Sequence, residues 1–173
     1  TPNDNYSGAD TFTFKVNDGT VDSAVATVSI TVTSANDAPT ASSQSVSTAE
    51  DTAKSITLSG NDTDADTLTY SIVASPANGS LSGSGATITY TPNDNYSGAD
   101  TFTFKVNDGT VDSTTATVSI TVTSANDAPI ANSQSVSTAE DTAKAITLVG
   151  SDLEADTLTY SIVASPTSGT LSG

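Results

Sequence analysis

Asn61-Asp62-Thr63-Asp64-Ala65-Asp66-Thr67-Leu68-Thr69-Tyr70-Ser71-Ile72-Val73 is the stretch whose reading decides the fold. Its second half alternates apolar Leu68, Tyr70 and Ile72 with Thr69 and Ser71, the period of a strand with one wet face. Its first half sets three carboxylates two residues apart at the mouth of that strand. Left alone they repel one another, and each holds its proton more tightly than a lone Asp. A divalent cation relieves the repulsion, and calcium is the one that prefers many oxygens in a flexible cage. The same pattern returns ninety residues on as Ser151-Asp152-Leu153-Glu154-Ala155-Asp156.

The alternation continues on both sides. Ile56 and Leu58 share a face, as do Ile88 and Tyr90, then Phe102, Phe104 and Val106, then Val118, Ile120 and Val122. Short strands with turn signals between them and no helical period specify an all-β chain of seven-stranded sandwiches. The strands are expected at about 41–48, 53–59, 67–75, 79–83, 86–91, 100–107 and 115–123, in antiparallel order. Asp108-Gly109 marks a tight hairpin between the last two, so Asp108 and Asp112 read as turn chemistry. Pro76-Ala77-Asn78-Gly79 is a second turn. Tyr96 stands where a tyrosine corner would tie the phenol to nearby backbone.

Residues 91–173 restate 1–83 with twelve substitutions, a period too long for a solenoid and right for an array of domains. The boundary falls at Asn36-Asp37-Ala38-Pro39 and again at Asn126-Asp127-Ala128-Pro129, since Pro cannot donate to a ladder. Residues 38–127 then form one complete repeat. Residues 1–37 are the C-terminal part of a preceding repeat, and 128–173 the N-terminal part of the following one. With no Met even at position 1, the chain reads as a fragment. Its end pieces together lack only the counterpart of 84–90. They are expected to expose apolar faces, covered by neighbouring repeats of the same chain or by identical chains, the latter giving a head-to-tail filament.

Composition narrows the function. Twenty acids against four lysines give a net charge of −16, which excludes nucleic acid and anionic membrane as partners. No apolar run approaches the roughly 20 residues of a membrane-spanning helix. With no Cys and no His there is neither thiolate chemistry nor an ordinary general base, so no catalytic residue is assigned and no enzyme is expected. A carbohydrate-binding module is the alternative. It would want an exposed aromatic platform, and here Trp is absent while Tyr and Phe occupy core positions.

Strand order places the turn with Glu50 and Asp51, the approach to Asp100, and the exit at Asn126-Asp127 at one end of a repeat. The loop with Asp62, Asp64 and Asp66 lies at the other end, beside the Asp108 hairpin. Successive repeats would therefore bring Glu50, Asp51, Asp100, Asn126 and Asp127 toward Asp152, Glu154 and Asp156. Asp10, Asn36, Asp37, Glu140 and Asp141 are their counterparts at the neighbouring boundaries. Six to eight oxygens serve one calcium, so such a junction holds ligands for two or three ions.

Taken together, Ala-Glu-Asp-Thr at 49–52, Asn-Asp-Thr-Asp-Ala-Asp-Thr-Leu at 61–68, Thr-Pro-Asn-Asp-Asn-Tyr-Ser-Gly-Ala-Asp-Thr-Phe at 91–102 and Asn-Asp-Ala-Pro resemble the cadherin-like tandem repeats of large bacterial surface and secreted adhesins. The resemblance covers the whole chain. It implies immunoglobulin-like sandwiches with Ca2+ at their junctions and an extracellular or cell-surface location. It also implies a role in adhesion to a surface glycan or protein, or in spacing an adhesive tip. Its ligand positions fall on Glu50, Asp62, Asp64, Asp66, Asp100 and Asp127 and their repeats. Asp64 becomes Glu154 and Asn61 becomes Ser151, so the two junctions are expected to differ.

Overall fold

The structure is a computed structural model that describes Thr1–Ser172, and among these residues there is no helix. The strands in chain order are β1 (Gly8–Phe14), β2 (Ala26–Val32), β3 (Thr40–Ser42), β4 (Gln44–Ala49), β5 (Lys54–Thr57), β6 (Ser59–Asn61), β7 (Thr69–Ala74), β8 (Gly79–Ser84), β9 (Thr87–Pro92), β10 (Gly98–Asn107), β11 (Ala116–Thr123), β12 (Ile130–Ala131) and β13 (Gly150–Ser151). They fall into two compact units, Thr1–Ser124 and Ala125–Gly173.

The first unit holds a complete sandwich. One sheet runs β4-β11-β10-β7; the other runs β5-β9-β8, with β3 paired to β6 beside it. The alternating side chains of both sheets meet in one core of Ile56, Leu58, Ile88, Tyr90, Phe102, Phe104, Val106, Ala116, Val118, Ile120 and Val122. Phe104, Val106, Val118 and Tyr90 are wholly buried. Burial of an aromatic or branched side chain of this kind contributes about 1.5–3 kcal/mol. Tyr70 stacks on Phe104 with ring centroids 6.4 Å apart.

Two strands expected to be continuous are divided. The first breaks at Ser43, where β3 leaves β6 and β4 joins β11. The break has a local cause, because the Ser43 hydroxyl accepts the Thr117 amide at 3.0 Å and takes the place of a ladder carbonyl. The β4–β11 pair is parallel, from Val118 opposite Gln44 to Thr123 opposite Ala49. Alternation alone carries no strand direction, so the antiparallel expectation fails there. The second divided strand breaks at Leu58, whose amide bonds the Ala86 carbonyl at 2.7 Å.

The turns follow their sequence signals. Gly109 takes a positive φ of 99° in the β10–β11 hairpin, and Asp108 Oδ1 accepts the Thr110 and Val111 amides. The Tyr96 hydroxyl donates to the Ala99 carbonyl at 2.7 Å, a tyrosine corner, and its ring packs on the core. On the open edge strand β7 the register with β10 slips between Thr103 and Phe104, leaving Val73 as a bulge. Bulges of this kind twist an edge away from pairing with another chain.

Ahead of the sandwich, β1 and β2 form an antiparallel hairpin, Gly8 opposite Val32 through Phe14 opposite Ala26. This is the same register that β10 and β11 hold, Gly98 opposite Val122 through Phe104 opposite Ala116. In the second unit β12 pairs with β13, Ile130 opposite Ser151. Both pieces leave large apolar side chains exposed, among them Phe12, Phe14, Ile30, Ile146, Leu148 and Ile162.

Candidate metal centre

The loop between β6 and β7 folds around one carboxylate. Asp62 Oδ1 accepts the Asp64 amide at 2.9 Å and the Asp66 amide at 3.2 Å. Ala65 supplies the left-handed residue that closes the loop, at φ 63°. This arrangement turns Asp64 and Asp66 back toward Asp62. Carboxylate oxygens of all three lie within 4.8 Å of one another. Two oxygens on opposite sides of a calcium at about 2.4 Å would stand about that far apart.

The second oxygen of Asp62 distinguishes this loop from a solvated acidic turn. Oδ2 is enclosed and has no hydrogen-bond partner among the described residues. An enclosed carboxylate oxygen without a donor is costly unless a cation or water meets it. The donor set, hard anionic oxygens on a short loop, fits a calcium ion.

The linker from the preceding hairpin enters here. The Asp37 amide bonds Asp64 Oδ2 at 2.7 Å, and Asn36 Nδ2 donates to Asp108 Oδ2 at 2.8 Å and to the Asp37 carbonyl. Asn36 and Asp37 are thus pinned between the acidic loop and the β10–β11 hairpin. The Asn36 amide, followed by the Val111 and Thr110 amides, holds the Asp108 carboxyl below its usual value. Asp108 thus has a second role beside closing its own turn. Its one signal was the expected adjacency of the two loops.

In the second unit the pattern recurs. Asp152 Oδ1 accepts the Asp156 amide at 2.9 Å, and Ala155 repeats the left-handed φ at 61°. The Asp127 amide bonds Glu154 Oε2 at 3.2 Å, the counterpart of Asp37 with Asp64. Asn126 Nδ2 donates to the Asp127 carbonyl at 2.8 Å. Asp127 Oδ2, like Asp62 Oδ2, has no hydrogen-bond partner among the described residues. The longer Glu154 therefore reaches the linker amide of Asp127 as Asp64 reaches that of Asp37.

Other candidate ligands are placed differently. Asp100 is buried with its oxygens already used: Oδ1 accepts Ala77 N at 3.0 Å and Thr101 N at 2.9 Å, and Oδ2 accepts Asn78 N at 3.0 Å and the Tyr90 hydroxyl at 2.9 Å. It caps the Pro76–Gly79 turn and stands outside the Asp62 cluster. Burial first, and the Asp100 anion second, push the Tyr90 phenol well above its usual range. Asp10, its repeat, accepts the following amide, that of Thr11, and among the described residues no other. Asp51, in a left-handed conformation, accepts the Asn95 amide at 2.9 Å, while the neighbouring Glu50 amide bonds the Thr123 carbonyl. Glu140 and Asp141 lie exposed in the equivalent turn, closed by Thr138 Oγ1 on the Thr142 carbonyl. Asp112 is occupied by Lys105 and by Asn107.

A family model described as bacterial Ig domain matches residues 1–31, 36–121 and 126–173. The chain belongs to that family. These bacterial Ig domains therefore stand in tandem, the first matched segment repeating the end of the second (91–121) and the third repeating its beginning (36–83). Among curated proteins the chain is similar to integrin beta-like protein A of Dictyostelium discoideum. The two are 38% identical over 142 residues, covering 70% of this chain and 7% of that protein. Among solved structures it is similar to repeats EC1-2 of human mucin-like protocadherin at 23% identity, over 72% of each chain, with a TM-score of 0.48. It is also similar to an endo-fucoidan hydrolase of glycoside hydrolase family 107 at 26% identity, over 69% of this chain and 19% of that one, with a TM-score of 0.44. The chain spans only a small part of the integrin-like protein and of the hydrolase.

Proposed function

We propose that the chain is a calcium-stiffened link of a long extracellular or bacterial cell-surface adhesin or fibre. Its Ig domains are held in line by cations at their boundaries. The observation that carries this reading is the Asp62 side chain, whose Oδ1 organises the loop while Oδ2 is left enclosed beside Asp64 and Asp66. Asp64 also ties down the linker amide of Asp37. A cation gathered by this loop would therefore hold the path by which the chain passes from one repeat to the next. With no cation, three carboxylates repel one another beside the linker, and the path loosens. Extracellular calcium modules bind at about 10⁻⁴–10⁻³ M, so occupancy would follow ambient calcium.

Asp62→Asn tests the assignment, because an amide keeps the Oδ1 acceptor for the two loop amides and removes the anionic second oxygen. Ten-millimolar calcium over a dissociation constant of about 1 mM stabilises the bound fold by about 1.4 kcal/mol. The wild type should show that gain in thermal unfolding and a longer particle in solution scattering than it has in chelator. Asp62→Asn should show neither while unfolding normally without metal. Equal calcium response in both proteins, or equal particle length with and without chelator, refutes the reading.

A further inference from the structure

The linker between β2 and β3 is tied to the sandwich at two places that differ in kind. The Asp37 amide bonds Asp64 Oδ2 at 2.7 Å, and Asp64 belongs to the acidic loop. One residue earlier, Asn36 Nδ2 donates to Asp108 Oδ2 at 2.8 Å, and Asp108 stands outside that cluster. The far end of the linker is fixed by Pro39, which is buried, while residues 33–38 are all exposed. The path across the boundary therefore depends on these two bonds.

The β10–β11 hairpin is shaped before the linker reaches it. Asn107 Oδ1 accepts the Gly109 amide at 2.7 Å, and its Nδ2 donates to Asp112 Oδ1 at 2.8 Å. Ser113 Oγ accepts the Val106 amide at 3.0 Å. Asp108 Oδ1 is taken up by the Thr110 and Val111 amides, which fixes the carboxylate and leaves Oδ2 for the linker. The same bonds recur between β1 and β2, where Asp18 Oδ1 accepts the Thr20 and Val21 amides at 2.8 and 2.9 Å and Asn17 Nδ2 donates to Asp22 Oδ1 at 2.7 Å. Among the described residues Asp18 receives no linker amide, so the hairpin takes this form by its own bonds. An acceptor already in place loses little freedom when its donor arrives. Asp108 is 8% exposed, and a hydrogen bond to a carboxylate shielded from water is stronger than one between neutral groups.

We propose that the Asp108 hairpin is a metal-independent latch on the linker, holding Asn36 in place while the acidic loop is empty. Asn36 Nδ2 donates to the Asp37 carbonyl at 3.2 Å as well as to Asp108. It thus fixes the peptide that follows it and presents the Asp37 amide to Asp64. Asn36 is uncharged and Asp108 lies outside the three-carboxylate loop, so their bond survives when that loop holds no cation. Repulsion among Asp62, Asp64 and Asp66 then works against a linker that is still held at one point. The boundary has two grades of stiffness, a lower one set by the latch alone and a higher one when the loop is filled. The lower grade does not rest on the cation reading, since it exists in a chain that binds no metal.

Hydrogen exchange at the Asp37 amide, followed by NMR in chelator and corrected for intrinsic rates, tests the latch. It is read well below the thermal midpoint of each protein, so that unfolding does not contribute. Wild type should show a protected Asp37 amide without any metal. Asn36→Asp sets two carboxylates against each other and should lower that protection at least about tenfold. Combining Asn36→Asp with Asp108→Asn reverses the pair: position 108 then supplies the amide and position 36 the carboxylate, while the side-chain oxygen at 108 still holds the Thr110 and Val111 amides. Protection should return. Equal protection in all three proteins overturns the latch, as does a loss that the double substitution fails to rescue. Protection that appears in wild type only when calcium is added also overturns it, because the linker is then held by the cation alone.

Discussion

Replacing Asp100 by Asn separates a structural carboxylate from a metal ligand. Asp100 receives four donors, two on each oxygen. Asn must turn its NH2 toward one pair, so either the Ala77 and Thr101 amides or the Asn78 amide and the Tyr90 hydroxyl face another donor. Each hydrogen bond to a charged acceptor contributes about 1.5–3 kcal/mol, and a buried donor left unmet costs about 1–3 kcal/mol. The two losses share one side chain and overlap, which sets the expected destabilisation at about 3 kcal/mol. With a urea dependence of about 1.5 kcal/mol per molar, the midpoint falls by about 2 M. Tyrosine fluorescence reports the transition, since the chain has no Trp. The shift should be the same in calcium and in chelator. A change under about 0.5 kcal/mol, or one that appears only with calcium, would refute the capping role.

Three further outcomes follow from the same contacts. Asp108 has a depressed folded pKa, so its contribution is complete above the unfolded value near 3.8 and is lost as pH falls through the folded one; Asp108→Asn should flatten that part of an acid unfolding curve. Tyr90 has a raised pKa, so stability should decline above about pH 10 as the unfolded phenol ionises, and Tyr90→Phe should reduce that decline at a cost of about 1 kcal/mol at neutral pH. Gly98 has φ 142°, and a Cβ there would sit 2.9 Å from the Tyr96 hydroxyl; Gly98→Ala should lower the thermal midpoint, with a cost of about 1–3 kcal/mol, whereas an unchanged midpoint would show that the corner tolerates movement.

What could be read from the sequence was what lies within a few residues. Phe102, Phe104 and Val106 announce an inward face whatever strand lies beside them, and Asp62, Asp64 and Asp66 meet because one short loop holds all three. The division at Ser43 was not legible, since the residues on its two sides alternate alike and only the Thr117 amide, 74 positions away, marks the break. Asp100 presents the same difficulty. A carboxylate that caps a turn and one that holds a cation look identical until the Ala77 and Asn78 amides, some twenty residues distant, are seen to fill it. The bond from Asn36 to Asp108 spans 72 positions and depends on how two loops of one tip lie together.

The parallel ladder between β4 and β11 has a mechanical consequence. The chain enters the repeat through the short β3, held only to β6, and runs on into β4; it leaves from the end of β11, and the neighbours β4 and β11 run the same way. Tension on the two ends pulls the strands lengthwise in opposite directions, so all the rungs from Gln44 to Ala49 bear load together instead of parting one by one. Such a repeat should hold under stretching until it yields in a single abrupt event, which suits a tether that must transmit force without creeping.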